Sequence, residues 1–126
     1  MPLRVVVSVE VDLMIGSVGE DVPVSVLVNT VADLVGETFR PIVGSAGVIY
    51  EGERPDGWVW VKEERGDAGP FISHPYALDI RLREPEDELP LLEGVYRALV
   101  DSGNYKVILF VDDNCIRGSH FDCKDW

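Results

Sequence analysis

The chain predicts an α+β domain: a two-layer sandwich in which a mixed five-stranded sheet carries two helices on one face. Three observations lead there. Five stretches alternate apolar and polar residues, or run apolar, as strands do. Two others repeat apolar residues at helical spacing. The stretches follow one another in the order β-α-β-β-β-α-β. At 126 residues the whole of 1–126 makes one domain, with residues 114–126 a C-terminal tail packing on the sheet.

The first strand is expected over residues 3–13, where Leu3, Val5, Val7, Val9, Val11 and Leu13 alternate with Arg4, Ser8, Glu10 and Asp12. Gly16, Ser17 and Gly19 end it. A helix follows over residues 21–35, opened by Asp21 and Pro23. Val24, Leu27, Val28, Val31, Leu34 and Val35 form its apolar stripe, and Gly36 closes it. Its many valines make strand the rival assignment, but the period favours helix.

Residues 41–50 read as one strand weakened or bulged at Gly44 and Gly47. The turn-rich loop 51–57 joins it to a strand at 58–63, with Trp58 and Trp60 on one face. A Gly- and Pro-containing loop spans 65–75, and residues 76–83 alternate again. The acidic run 84–90 begins the second helix, where carboxylates oppose the helix dipole. Leu89, Leu92, Val95, Tyr96, Leu99 and Val100 form its buried stripe, and Gly103 suits the cap. Residues 104–113 are apolar on both faces, which marks a strand inside the sheet. The nearest named topology is a ferredoxin-like split pattern with one added strand. Ile116, Phe121 and Trp126 of the tail are expected to cover the open sheet face.

Twenty-three acids against eleven bases leave a formal charge of −12. Binding to nucleic acid needs Lys and Arg to displace counterions, so phosphates are a poor partner. A basic protein fits this charge. No run of about 18 apolar residues is present to span a membrane. The opening residues lack the pattern of a secretory signal, which reads as a cytoplasmic protein whose two cysteines are reduced thiols.

Chemical motifs are sparse. Lys106 to Asn114, KVILFVDDN, resembles the first strand of a response-regulator receiver domain, whose paired acids hold magnesium. Only twelve residues follow Asn114, too few for the strand that carries that family's phosphorylated aspartate, and the family is set aside. What remains is a turn at Asp112 and Asp113, or a weak cation site of this pair with Asp12. Cys115, His120, Asp122 and Cys123 leave reduced thiols, a zinc site and a disulfide as readings, with the zinc spacing matching no standard knuckle. Ser73, His74 and Asp79 carry a hydrolase's residue types, yet adjacent Ser and His are poorly placed to act as nucleophile and base. There is no nucleophile elbow, and Gly44 to Gly47 lacks the lysine of a phosphate loop. The reading is therefore of no enzyme, no cofactor and no protein-bound metal.

What the sequence offers instead is a binding surface. Trp58 and Trp60 are core anchors or partner contacts, with Glu51, Glu53 and Asp56 before them and Glu84, Glu86, Asp87 and Glu88 in a second acidic run. If these converge, they suit a basic protein partner. The expected function is an immunity protein or antitoxin that blocks a toxin such as a nuclease. The alternative is a homodimeric accessory or small-ligand-binding domain without catalysis.

Overall fold

The computed structural model describes residues 10–45 and 47–126. Most of the strand expected over residues 3–13 lies outside them. The chain forms seven strands: β1 (Val11–Ser17), β2 (Phe39–Gly44), β3 (Gly47–Arg54), β4 (Gly57–Glu63), β5 (Tyr76–Leu82), β6 (Tyr105–Val111) and β7 (Asn114–Gly118). Three helices join them: α1 (Val24–Val35), the single turn α2 (Pro70–Ser73) and α3 (Glu88–Asp101). The strands lie in the order β2-β3-β4-β5-β1-β6-β7, with every neighbouring pair antiparallel.

This corrects the expected mixed five-stranded sheet with two helices. Residues 41–50 do not bulge; the chain turns at Ser45, and Gly47 takes a positive φ of 120°. Ile42 then faces Ile49 and Val43 faces Val48 across a hairpin, so one expected strand is two. At the other edge, Asp112 and Asp113 both take left-handed backbone (φ 49° and 63°) in a tight turn. That turn returns the tail as β7 along β6. Parallel contacts are missing for a topological reason. β5, α3 and β6 make a crossover, but β1 inserts between the two strands and is antiparallel to both.

Alternation decides the core. Leu13 and Ile15 of β1, Val59 and Val61 of β4, Leu78 and Ile80 of β5, and Val107 and Leu109 of β6 point to one face. There they meet Leu27, Val28 and Val31 of α1 and Leu92, Val95 and Leu99 of α3. Burying each such aliphatic side chain contributes about 1.5–3 kcal/mol before entropy. α1 begins at Pro23 rather than Asp21. Ser17 Oγ accepts from the Val22 amide, and the Tyr76 hydroxyl donates to the Val22 carbonyl, which holds the approach to the helix. Gly36, at φ 72°, ends α1 by donating to the Ala32 carbonyl. The Arg54 guanidinium bridges Asp56 and the Val35 carbonyl, satisfying a free acceptor of the same helix end. No helix of the described residues is long and apolar enough to cross a membrane.

Candidate functional site: the sheet face away from α1 and α3

With Val59 and Val61 under the helices, strand alternation turns Trp58, Trp60 and Lys62 to the opposite face. Register supplies their neighbours. Glu53 lies opposite Trp58 and Glu51 opposite Trp60 on β3, while Arg81 and Asp79 flank the same tryptophans from β5. One row therefore runs Arg40, Glu51, Trp60, Asp79, Asp12 and Phe110 across six strands. Both indole rings are half-buried, flanked by these neighbours.

Two cations on this face are engaged. Lys62 Nζ lies 2.8 Å from Glu64 and 3.4 Å from Asp79, and Arg81 donates to Glu10 at 3.0 Å. Asp12 has no ion-pair partner among the described residues. It lines a cleft of about 240 Å³ with Glu10, Val11, Trp60, Asp79 and Arg81. Burial, then the carboxylates of Asp79, Asp113, Glu64 and Glu10, push its pKa up to about 7. A cationic side chain entering this cleft would meet a carboxyl group poised to ionise beside an indole ring.

The other acids expected at the site divide. Asp56 sits in the β3–β4 turn, where Arg54 holds its pKa below the usual carboxylate range. The Arg83 amide donates to the Asp56 carbonyl, so the turn and the exposed Glu84, Glu86 and Asp87 share one end of the sheet. That end is not simply acidic. A cleft of about 390 Å³ there carries Arg54, Arg81 and Arg83 beside Glu53, Asp56 and Trp58. Glu88 is withdrawn from any surface role: it is 2% exposed, and its carboxylate accepts from the Leu82 amide at 2.8 Å.

The remaining motifs resolve as structure. Asp112 Oδ1 accepts from the Glu10 amide, tying the β6–β7 turn to the start of β1. Ser73 Oγ and His74 Nδ1 are 2.8 Å apart, so adjacency does permit the hydrogen bond that the sequence argument discounted. Asp79, however, pairs with Lys62. The His74 ring is enclosed at 2% exposure, with Nε2 unpartnered and the Phe121 ring edge-on to it. A Cβ on Gly16 would fall on the Ser73 carbonyl, so a glycine is needed where α2 seats against β1. Cys115 and Cys123 form a disulfide, correcting the expectation of reduced thiols.

Sequence reasoning missed Asp12 and Asp79 as partners of the tryptophans. Each is one polar residue in an alternating strand, and only the β4-β5-β1 register brings them together. Compared with protein-family models, curated proteins and solved structures, the chain matches none of them.

Proposed function

We propose that this chain is a binding protein that docks a basic protein on the part of its sheet that no described residue covers, spanning β2 to β5 and the acidic start of β1. The observation that carries the reading is the placement of Trp58 and Trp60 on one open face, with Glu51, Glu53, Asp79, Asp12 and Glu10 around them. Aromatic anchors ringed by charge are the make-up of an interface centre with a steering rim. The partner's lysines and arginines would pair with the carboxylates, and an indole would seat against its apolar surface. A chain acting in this way, as an immunity protein or antitoxin does, would plug the cationic site of a toxin such as a nuclease and perform no chemistry. Its net charge of −12 would speed the encounter.

Affinity capture tests this. The tagged protein and a Glu51→Lys/Trp60→Ala variant are presented to lysate of the native host and washed at low and then high salt. A basic protein held by the wild type at low salt, and absent from the variant, is expected. Equal retention by both, or a retained protein that is not basic, rejects the face.

A second reading draws on a different observation. Residues 41–50 contain no charged side chain, and in the β2–β3 hairpin Ile42, Val48 and Ile49 are exposed while Val43 is 80% exposed. β2 is an edge strand, and two copies of a −12 chain repel least where charge is missing. Sedimentation at twice the monomer mass, returned to monomer by Val43→Asp, would favour a homodimeric accessory domain.

A further inference from the structure

On the face away from α1 and α3, the part on β1 and β6 is apolar. Met14, Ile108 and Phe110 form a second buried cluster there, separate from the core under the helices, with Cys115 and Phe121 packed on it. The cover is the chain after β7. At Gly118 it doubles back so tightly that a Cβ would fall on the Phe121 carbonyl.

Besides its packing on the cluster, the segment meets α2 and the residue after it, with Trp126 6.2 Å from the Phe71 ring and Phe121 edge-on to His74 at 6.4 Å. The Ser119 amide donates to the Val107 carbonyl, and Ser119 Oγ accepts from the Val107 amide, both at 2.9 Å. Trp126 Nε1 donates to the Asp113 carbonyl, and its ring lies 4.7 Å from Phe110. Asp122, Lys124, Asp125 and Trp126 are exposed. The one covalent tie is the Cys115–Cys123 bond, which anchors the segment to β7 across eight residues, and both cysteines are only half-buried.

We propose that residues 119–126 are a redox-released cover: a small dithiol opens the Cys115–Cys123 bond, and the freed segment leaves Met14, Ile108 and Phe110. One thiolate of the reductant attacks a cystine sulfur, forming a mixed disulfide and freeing the other cysteine as thiolate. The reductant's second thiol then closes its own disulfide and frees the second cysteine. Two electrons pass from the dithiol to the protein, and two protons complete its thiols. β7 stays on β6 through its ladder and through Arg117, whose guanidinium stands 5.8 Å over the Tyr96 ring. Disulfides persist in oxidising compartments and are labile in the cytoplasm, so one chain presents a closed face in the first and an apolar one in the second. This inference does not rest on the basic-partner reading.

Amide hydrogen exchange tests it on three samples: oxidised protein, dithiol-treated protein with thiols counted, and a Cys115→Ser/Cys123→Ser variant. Exchange at the Val107 and Ser119 amides is expected to rise by about tenfold or more in the second and third, with β4 and β5 amides unchanged. A dye that binds apolar surface should brighten in step. Unchanged protection at Val107 and Ser119 would overturn the proposal, because packing alone then holds the cover. So would a loss of protection throughout the sheet, which would make the bond a structural staple, or a bond that the dithiol does not reduce.

Discussion

The sheet face away from α1 and α3 is finished in two opposite ways, and the divide runs along a single strand. On β1, Met14 is 5% exposed beneath the tail, while Asp12, two residues earlier on the same face, lines an acidic cleft. Toward β6 and β7 the face is apolar and covered; toward β2 to β5 it is aromatic, charged and uncovered by any described residue. The difference teaches what each half is for. A covered patch is read by stability, because its side chains have lost water. An open patch made of indoles and paired charges is worth little to stability, and under the docking proposal it is read by what it touches.

The covered half should therefore yield the largest losses. Phe110→Ala removes the ring on which Trp126 rests and opens a hole beside Met14 and Ile108. About 3 kcal/mol of unfolding free energy should be lost in urea titration. A loss below about 1 kcal/mol would show that the tail does not bury this cluster, and the contrast would fail at its first step.

Acid should sharpen the contrast, because each half holds a group displaced into the range between pH 3.8 and 7, and the two act with opposite signs. His74 has its pKa lowered to about 4, first by burial and then by the positive charge of Lys106 and the neighbouring His120. Below its unfolded pKa of about 6.5 the unfolded chain binds the proton and the folded one resists it. Stability should therefore fall between pH 6.5 and 4, by about 2–3 kcal/mol. His74→Leu should remove that slope, as read from denaturation midpoints across the range. Asp12 behaves in reverse. Its folded pKa of about 7 exceeds the ordinary 3.8, so the folded state holds the proton between them and loses stability as pH rises through that window. Discounted for solvent screening, Asp12→Asn should stabilise the protein by about 1–2 kcal/mol at pH 8 and leave it unchanged near pH 3. An equal effect at both pH values would mean that packing, not ionisation, governs the cleft.

The halves also differed in how far the sequence revealed them. The two long helical stripes, except for Leu34, which is exposed, and the cores of β4, β5 and β6 followed from apolar period alone, because one buried face writes itself into every second or every third to fourth residue. Trp58 and Trp60 sharing a face was legible too, but residues 51–57 read as a loop, whereas β3 runs on to Arg54 and places Glu51 and Glu53 opposite the tryptophans. The β2–β3 turn was read as a bulge because glycine permits both, and only cross-strand pairing of Ile42 with Ile49 decides. Asp12 beside Asp79 was invisible. β1 and β5 are distant in sequence, and which strand enters between β5 and β6 is settled by packing, not by local pattern. Glu88 misled for a related reason. An acidic run at a helix start looks solvated, yet one member turned inward to satisfy the Leu82 amide.

The smallest effect on stability should come from the residue that matters most to the proposed interface. Trp60 is half-buried on the open face, with its cross-strand neighbours Glu51 and Asp79 both polar. Truncating it removes cross-strand contacts of the kind worth about 0.2–1 kcal/mol, with no cavity left behind, since solvent can fill the space. Trp60→Ala should therefore unfold within about 1 kcal/mol of the wild type. If the open half is a docking surface, the same variant should lose about 2 kcal/mol or more of affinity for a basic partner, as an anchor at an interface centre does. A Trp60→Ala protein that unfolds as easily as Phe110→Ala would instead make the indole a core residue. The two halves would then be one core, finished with different side chains but serving the same end.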